Sequence, residues 1–260
     1  MKYSPGLPEK NCNVSTEHPL KEFFVLLIGA ISILLAVLLL LGLFVDLAVQ
    51  YIDPKLESEL FGSFTSDDES SPNEQEQELQ SLLDRLGECI DVGYPVVVRI
   101  NESDQMNAFA MPGGSIVVLS ALLDKVKTEN GLAFVLAHEL GHFKNRDHLR
   151  GLGRSIVLLT ISVLLTGANS DISALLTPVY NAEAAQYSQD RESNADAIAL
   201  HALNCHYGHV GGAAEFFEII AAPEYDLDWS LTHYFSSHPE AQKRINDLDT
   251  LARSQGYAVQ

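Results

Sequence analysis

Three absences narrow this 260-residue chain before any motif is read. Cysteine is scarce: Cys12, Cys89 and Cys205 stand alone, with no C-x-x-C pair, so neither a zinc knuckle nor a dithiol redox site is indicated. A Cys89–Cys205 disulfide would suit an extracytoplasmic domain, and the sequence leaves that pairing open. Positive charge is short as well, with Lys+Arg 16 against Asp+Glu 35 and a formal net charge of -19. No basic face is available to neutralise phosphates, which excludes a nucleic-acid partner. Internal repeats are missing too, so the length points to one ordinary domain with accessory segments.

What is present begins with a long apolar run. Phe23 to Val45 (FFVLLIGAISILLAVLLLLGLFV) carries no charge and as a helix would span roughly 35 Å, enough for the hydrocarbon core. It is too long for a cleaved signal peptide and no A-x-A-like site follows it. We read residues 1–22 as a cytoplasmic tail and 23–45 as a single membrane anchor. Lys2, Lys10 and Lys21 precede the span and only Lys55 closely follows, which places the main domain outside the cytoplasm. A bacterial inner membrane fits that topology. Residues 46–73 read as an acidic juxtamembrane linker, because TSDDESSPNEQEQELQ (Thr65 to Gln80) is polar and lacks aromatics.

Residues 74–260 read as the catalytic domain. From Glu74 the leucines Leu79, Leu82, Leu83 and Leu86 fall on one helical face. Tyr94–Ile100 (YPVVVRI) and Ser115–Leu119 (SIVVL) read as strands around the Pro112-Gly113-Gly114 turn, a small antiparallel sheet with Ser115–Leu119 as its free edge. Helices are expected over Asn130 to Asp147, Tyr180 to Asn204, Gly212 to Ala221 and Glu240 to Ala252, the last with Pro239 in its first turn. The fold class is thus α+β and mainly helical, preceded by one transmembrane helix.

The chemistry is concentrated in HELGHFKNRDH, His138 to His148. Residues four apart on a helix share a face, so His138 and His142 can reach one metal ion, with Glu139 beside its water as base. Two residues compete for the third ligand position. His148 completes H-E-x-x-H-x-x-G-x-x-H spacing if Asn145 takes the left-handed turn that glycine would. Glu192, in SQDRESNADA (Ser188 to Ala197), shares a helical face with Asp196, and one carboxylate could bind metal while the other steadies a histidine. His201, Cys205, His206 and His209 form a further cluster, most simply a polar helix end before Gly208.

Together, HELGH, the later R-E-x-x-A-D and S-H-P-x-x-x-x-R-I, with NAFAMPGGSIVV ahead of them, resemble the HtpX- and CAAX-prenyl-protease-type membrane zinc metallopeptidases over roughly Tyr94 to Leu248. That resemblance implies a zincin-like domain with one Zn2+ per chain on His138, His142 and Glu192. It makes Glu139 the catalytic base and acid and Asp196 a support behind the metal. It also places His238 and Arg244 near the reacting centre. Gln189 stands where the family often has arginine, outside the metal shell. Extended polypeptide would be the substrate, bound along Asn107, Ala108, Phe109 and Ala110, because main-chain pairing suits varied sequences. Protein quality control in the membrane is the task implied. A non-proteolytic zinc-stabilised chaperone and a hydrolase of small amides or prenylated peptides are the rivals.

The ligand question bears on Ile156 to Val179, whose apolar stretch is interrupted by Asn169, Ser170 and Asp171. If His142 and Glu192 share an ion, the intervening chain must cross a bilayer an even number of times, and it has length for about one helical crossing. Under the Glu192 reading it is therefore a buried helix pair or a flap on the membrane surface. Under the His148 reading a crossing is allowed.

Overall fold

The chain opens on a helix whose length follows from the apolar run: α1, Pro19–Val49, continues without a break past Val45. The structure, a computed structural model, describes residues 19–53, 55–57, 59–61, 72–166, 189–222 and 241–259. Two units emerge, Met1–Phe44 and Val45–Gln260. Among the described residues, α1 is the one helix long and apolar enough to cross a membrane.

In the second unit, α2 (Glu74–Gly87) starts at a reciprocal cap in which Asn73 accepts from the Glu76 amide and Glu76 accepts from that of Asn73. Leu79, Leu82, Leu83 and Leu86 are all buried, as their spacing demands. The opposite flank of α2 serves the sheet. Gln80 accepts from the Val98 amide at 2.9 Å and donates to the Val96 carbonyl, while Glu76 accepts from the Ile100 amide. Side chains thus take up main-chain groups along the outer edge of β1 (Val97–Asn101).

The sheet departs from expectation in two ways. Its order is β1-β3-β2, with β2 at Ala108–Met111 and β3 at Ser115–Leu119. The β2–β3 pair is antiparallel, but β1 lies parallel to β3, making the sheet mixed. Ser115–Leu119 is therefore the central strand and not the edge. Its five residues are all buried, which is why it reads as an unbroken apolar run. Among the described residues, no strand pairs with the outer side of β2.

After the short α3 (Ser120–Lys125) comes α4 (Glu129–Asn145), capped by Thr128 and buried along nearly its whole length. It packs between the sheet and α6 (Gln189–Tyr207). The turn that ends α4 falls at Arg146 (φ 59, ψ 32), one residue beyond the expected Asn145, which remains helical. The chain restarts as α5 (Asp147–Thr166), which carries the first part of Ile156 to Val179 and leaves Ile156 and Leu159 exposed. The remainder of that stretch, the expected helix start at Tyr180, and His238 with Pro239 lie outside the described residues. Helices α7 (Glu215–Ile220) and α8 (Ala241–Gln255) close the core. A disulfide joins Cys89, just past α2, to Cys205 on α6.

Candidate active site

The site is made where α4 and α6 come closest, and Gly141 sets that distance. A Cβ there would stand 3.0 Å from Ala195 Cα, so any larger residue would push α6 away. At this approach Glu192 on α6 faces His138 and His142 on α4, all three buried. The Nε2 atoms of the histidines lie 3.0 Å apart. Glu192 Oε2 is 3.5 Å from His138 Nε2, and Glu192 Oε1 is 3.4 Å from His142 Nε2. Ligands about 2.1 Å from a tetrahedral zinc ion stand about 3.4 Å from one another. The two imidazole nitrogens and the Glu192 carboxylate, through one oxygen or the other, stand at separations of that order, and the three residues form the single three-ligand group among the described residues.

Both histidines are held from behind. His138 Nδ1 is 3.0 Å from Asp196 Oδ1, and His142 Nδ1 is 3.1 Å from Asp147 Oδ2. An Nδ1–H donated to each carboxylate leaves each Nε2 lone pair aimed at the shared centre. Burial pushes both imidazoles toward the neutral form, and the nearby carboxylates outweigh it. His138 ends above its ordinary value despite Arg244, and His142 rises to about 10 through Asp147 and Glu192. In the metal-free protein, protons therefore compete for this site.

Arg244 on α8 is brought into the cluster. It donates to Asp196 through Nε at 2.9 Å and Nη2 at 2.5 Å, and to Glu192 Oε2 through Nη1 at 2.7 Å. Its guanidinium sits 4.3 Å from the centre of the Phe217 ring. Burial would raise the Asp196 carboxyl, but Arg244 and His138 hold it below its usual range, so it stays ionised behind His138.

Glu139 is buried at the mouth of this group. Its Oε2 has no hydrogen-bond partner among the described residues. It lines a small crevice with His138, Phe134, Phe217 and Ala108. Ala108 belongs to β2, so the open sheet edge runs into the crevice that holds the glutamate. Of the expected edge residues, Ala108 and Ala110 turn inward, and Asn107 accepts from the Ala108 amide at 2.9 Å.

His148 is elsewhere. Its Nε2 is 2.7 Å from Glu57 Oε1, in a buried pair apart from the three-ligand group. The later cluster has no common centre. Cys205 is in the disulfide, His201 meets the Tyr257 hydroxyl, His206 packs edge-on to Tyr207, and His209 accepts from the Gly211 amide.

Sequence reasoning missed Asp147. It is fully buried and shared by His142, Arg150 (3.3 Å) and Arg191 (3.5 Å). These arginines also pair with Asp46, just past the apolar run. Nothing in the spacing marks Asp147 except its place directly after the break at Arg146.

The comparisons identify the family. The model of peptidase family M48 matches residues 73–252. The metalloprotease YcaL of Escherichia coli (strain K12) is 30% identical over 183 residues, 65% of this chain and 67% of its own length. The mitochondrial metalloendopeptidase OMA1 of Schizosaccharomyces pombe is 30% identical over 145 residues, 55% of this chain but 42% of its own. A protease HtpX homolog of Salinibacter ruber is 28% identical over 206 residues, 67% of this chain and 74% of its own. With a match spanning well over half its length, the chain belongs to peptidase family M48 and is a zinc metalloendopeptidase.

Proposed function

We propose that the chain is a membrane-anchored endopeptidase in which His138, His142 and Glu192 hold one Zn2+ and Glu139 moves the protons. The observation that carries this is the convergence of three buried residues, each offering one ligand atom within 4.8 Å of the others, beside a buried glutamate oxygen with no partner among the described residues. Bound zinc supplies a water with a pKa of about 7 and polarisation of the scissile carbonyl. Glu139 accepts the proton of the attacking water and passes it to the leaving amine. Asp196 and Asp147 keep the imidazoles turned toward the metal, and Arg244 holds Asp196 as an anion and donates to Glu192. The resemblance of the S-H-P motif assigns His238 a supporting role in catalysis.

Substrate adds as an extended strand to β2. The edge of β1 is occupied by Glu76 and Gln80, whereas β2 runs into the crevice with Glu139. Residues 1–22 form a tail, 23–45 the anchor, 46–73 the juxtamembrane connection and 74–260 the peptidase domain. The Cys89–Cys205 bond supports an oxidising, extracytoplasmic side, and a bacterial inner membrane suits the anchor. Clearance of misfolded or membrane-associated proteins is the task we assign.

The test is digestion of long unmodified peptides by the full chain in detergent. Internal cleavage that is abolished in Glu139→Gln with zinc retained supports the reading. Activity confined to small amides or prenylated peptides, or full cellular function of Glu139→Gln, would overturn it.

A further inference from the structure

The stretch between the anchor and α2 is acidic in sequence, yet its described residues fold onto the catalytic unit. Glu57 is 0% exposed. Its carboxylate accepts from the Gly113 amide at 3.2 Å, the Tyr94 hydroxyl at 3.2 Å and Arg146 Nη2 at 3.1 Å, and pairs with His148 Nε2 at 2.7 Å. Burial would raise the Glu57 carboxyl, but His148, Gly113 and Tyr94 hold it below its usual value, so it stays charged.

Independent contacts come from the same segment. Arg146 donates to the Ile52 carbonyl. Phe61 lies against the turn between β2 and β3, where a Cβ on Gly113 (φ +97) would stand 2.8 Å from the Phe61 carbonyl. Val45 and Val49 pack with Leu149, joined by Ile52, Phe61 and Val157.

Glu57 therefore holds two walls of the site at once. Gly113 lies in the turn that carries β2, and Arg146 and His148 flank the end of the helix bearing His138 and His142. Elements that share a buried ion pair lose a defined relative position when one partner is removed, because a buried charge is left uncompensated. Removing residues up to 73, where the family match begins, would remove this link.

We infer that the described juxtamembrane residues from Ile52 to Phe61 act as a clasp and that Glu57 is a positioning residue setting β2 against the metal-ligand helix. The inference rests on the reading of β2 as the substrate edge. The experiment compares full-length, detergent-solubilised wild type with Glu57→Gln and the milder Tyr94→Phe, which removes a single hydrogen bond. Zinc per chain, hydrogen exchange across residues 108–114, and kinetics on an unmodified peptide are measured. Zinc should be unchanged. Exchange over 108–114 should quicken about tenfold or more in Glu57→Gln, which alters every bond to the buried carboxylate, and less, roughly twofold to fivefold, in Tyr94→Phe, which removes one long bond to it. KM should rise in the same order while kcat stays within about twofold, the signature of lost substrate binding. Unchanged exchange in both variants overturns the clasp. Acceleration spread equally through α2 and α4 overturns it too, since Glu57 would then be a general stabiliser. Faster local exchange with an unchanged KM overturns the positioning role. If wild type cleaves no peptide, the peptidase reading fails separately, and exchange alone decides the clasp.

Discussion

Replacing Asp147 by asparagine removes one charge and almost no volume from a place that water does not reach. In the structure Asp147 accepts from His142 Nδ1 at 3.1 Å, with both side chains 0% exposed, and it also meets Arg150 and Arg191. A hydrogen bond to a charged group contributes about 1.5–3 kcal/mol. At about 1.4 kcal/mol per decade, that is roughly 10–100-fold in affinity, the range that loss of a partner behind a metal-bound histidine usually brings. Zinc affinity of the full chain, measured by competition with a chelating indicator, should weaken by that factor. Arg150 and Arg191 retain Asp46, so the fold should survive, with near-ultraviolet circular dichroism unchanged. Zinc affinity within twofold of wild type, in a variant that folds, would refute the idea that Asp147 orients His142.

Three further outcomes are expected. In the chelated protein His142 is raised from 6.5 to about 10, so its contribution to stability is complete below about 6.5 and lost as pH rises toward 10. The melting difference between wild type and His142→Gln in chelator should shrink across that window, and a flat or growing difference contradicts the assignment. Gly141→Val should force α6 from α4 at a cost of about 1–3 kcal/mol and weaken zinc binding, because Ala195 leaves no room for the side chain. Zinc affinity equal to wild type would show that the helix separation is not what sets the site. Breaking the Cys89–Cys205 bond, which spans a sequence separation of 116, should remove about 3 kcal/mol and lower the melting midpoint by roughly 6–12 °C. A melting curve indifferent to reductant would count against the bond.

Some of this was legible in the sequence because it is local. The four leucines of α2 and the His138–Glu139–His142 spacing each follow from helical periodicity. Glu192 and Asp196 declared a shared face in the same way, and α6 presents that face to α4. Other features depend on which distant elements meet. A fully buried strand such as Ser115–Leu119 has no alternation to show which neighbours flank it, so its central place and the parallel pairing of β1 were hidden. The left-handed turn fell at Arg146, where donation to Ile52 and Glu57 engages the side chain, although asparagine is the better intrinsic candidate. His148 had the right spacing for a metal, and only tertiary structure shows that it faces Glu57. Asp147 and Glu57 drew no notice because each acts on a partner that no motif links to it.

The central claim is that Glu192 completes the metal site. Zinc content of the full-length protein carrying Glu192→Ala, with His148 intact, tests it most directly beside wild type. Wild type should hold one zinc per chain, and the variant should lose it or bind it far more weakly. Full retention of zinc by Glu192→Ala would contradict it, return His148 to contention, and leave a crossing by Ile156 to Val179 allowed.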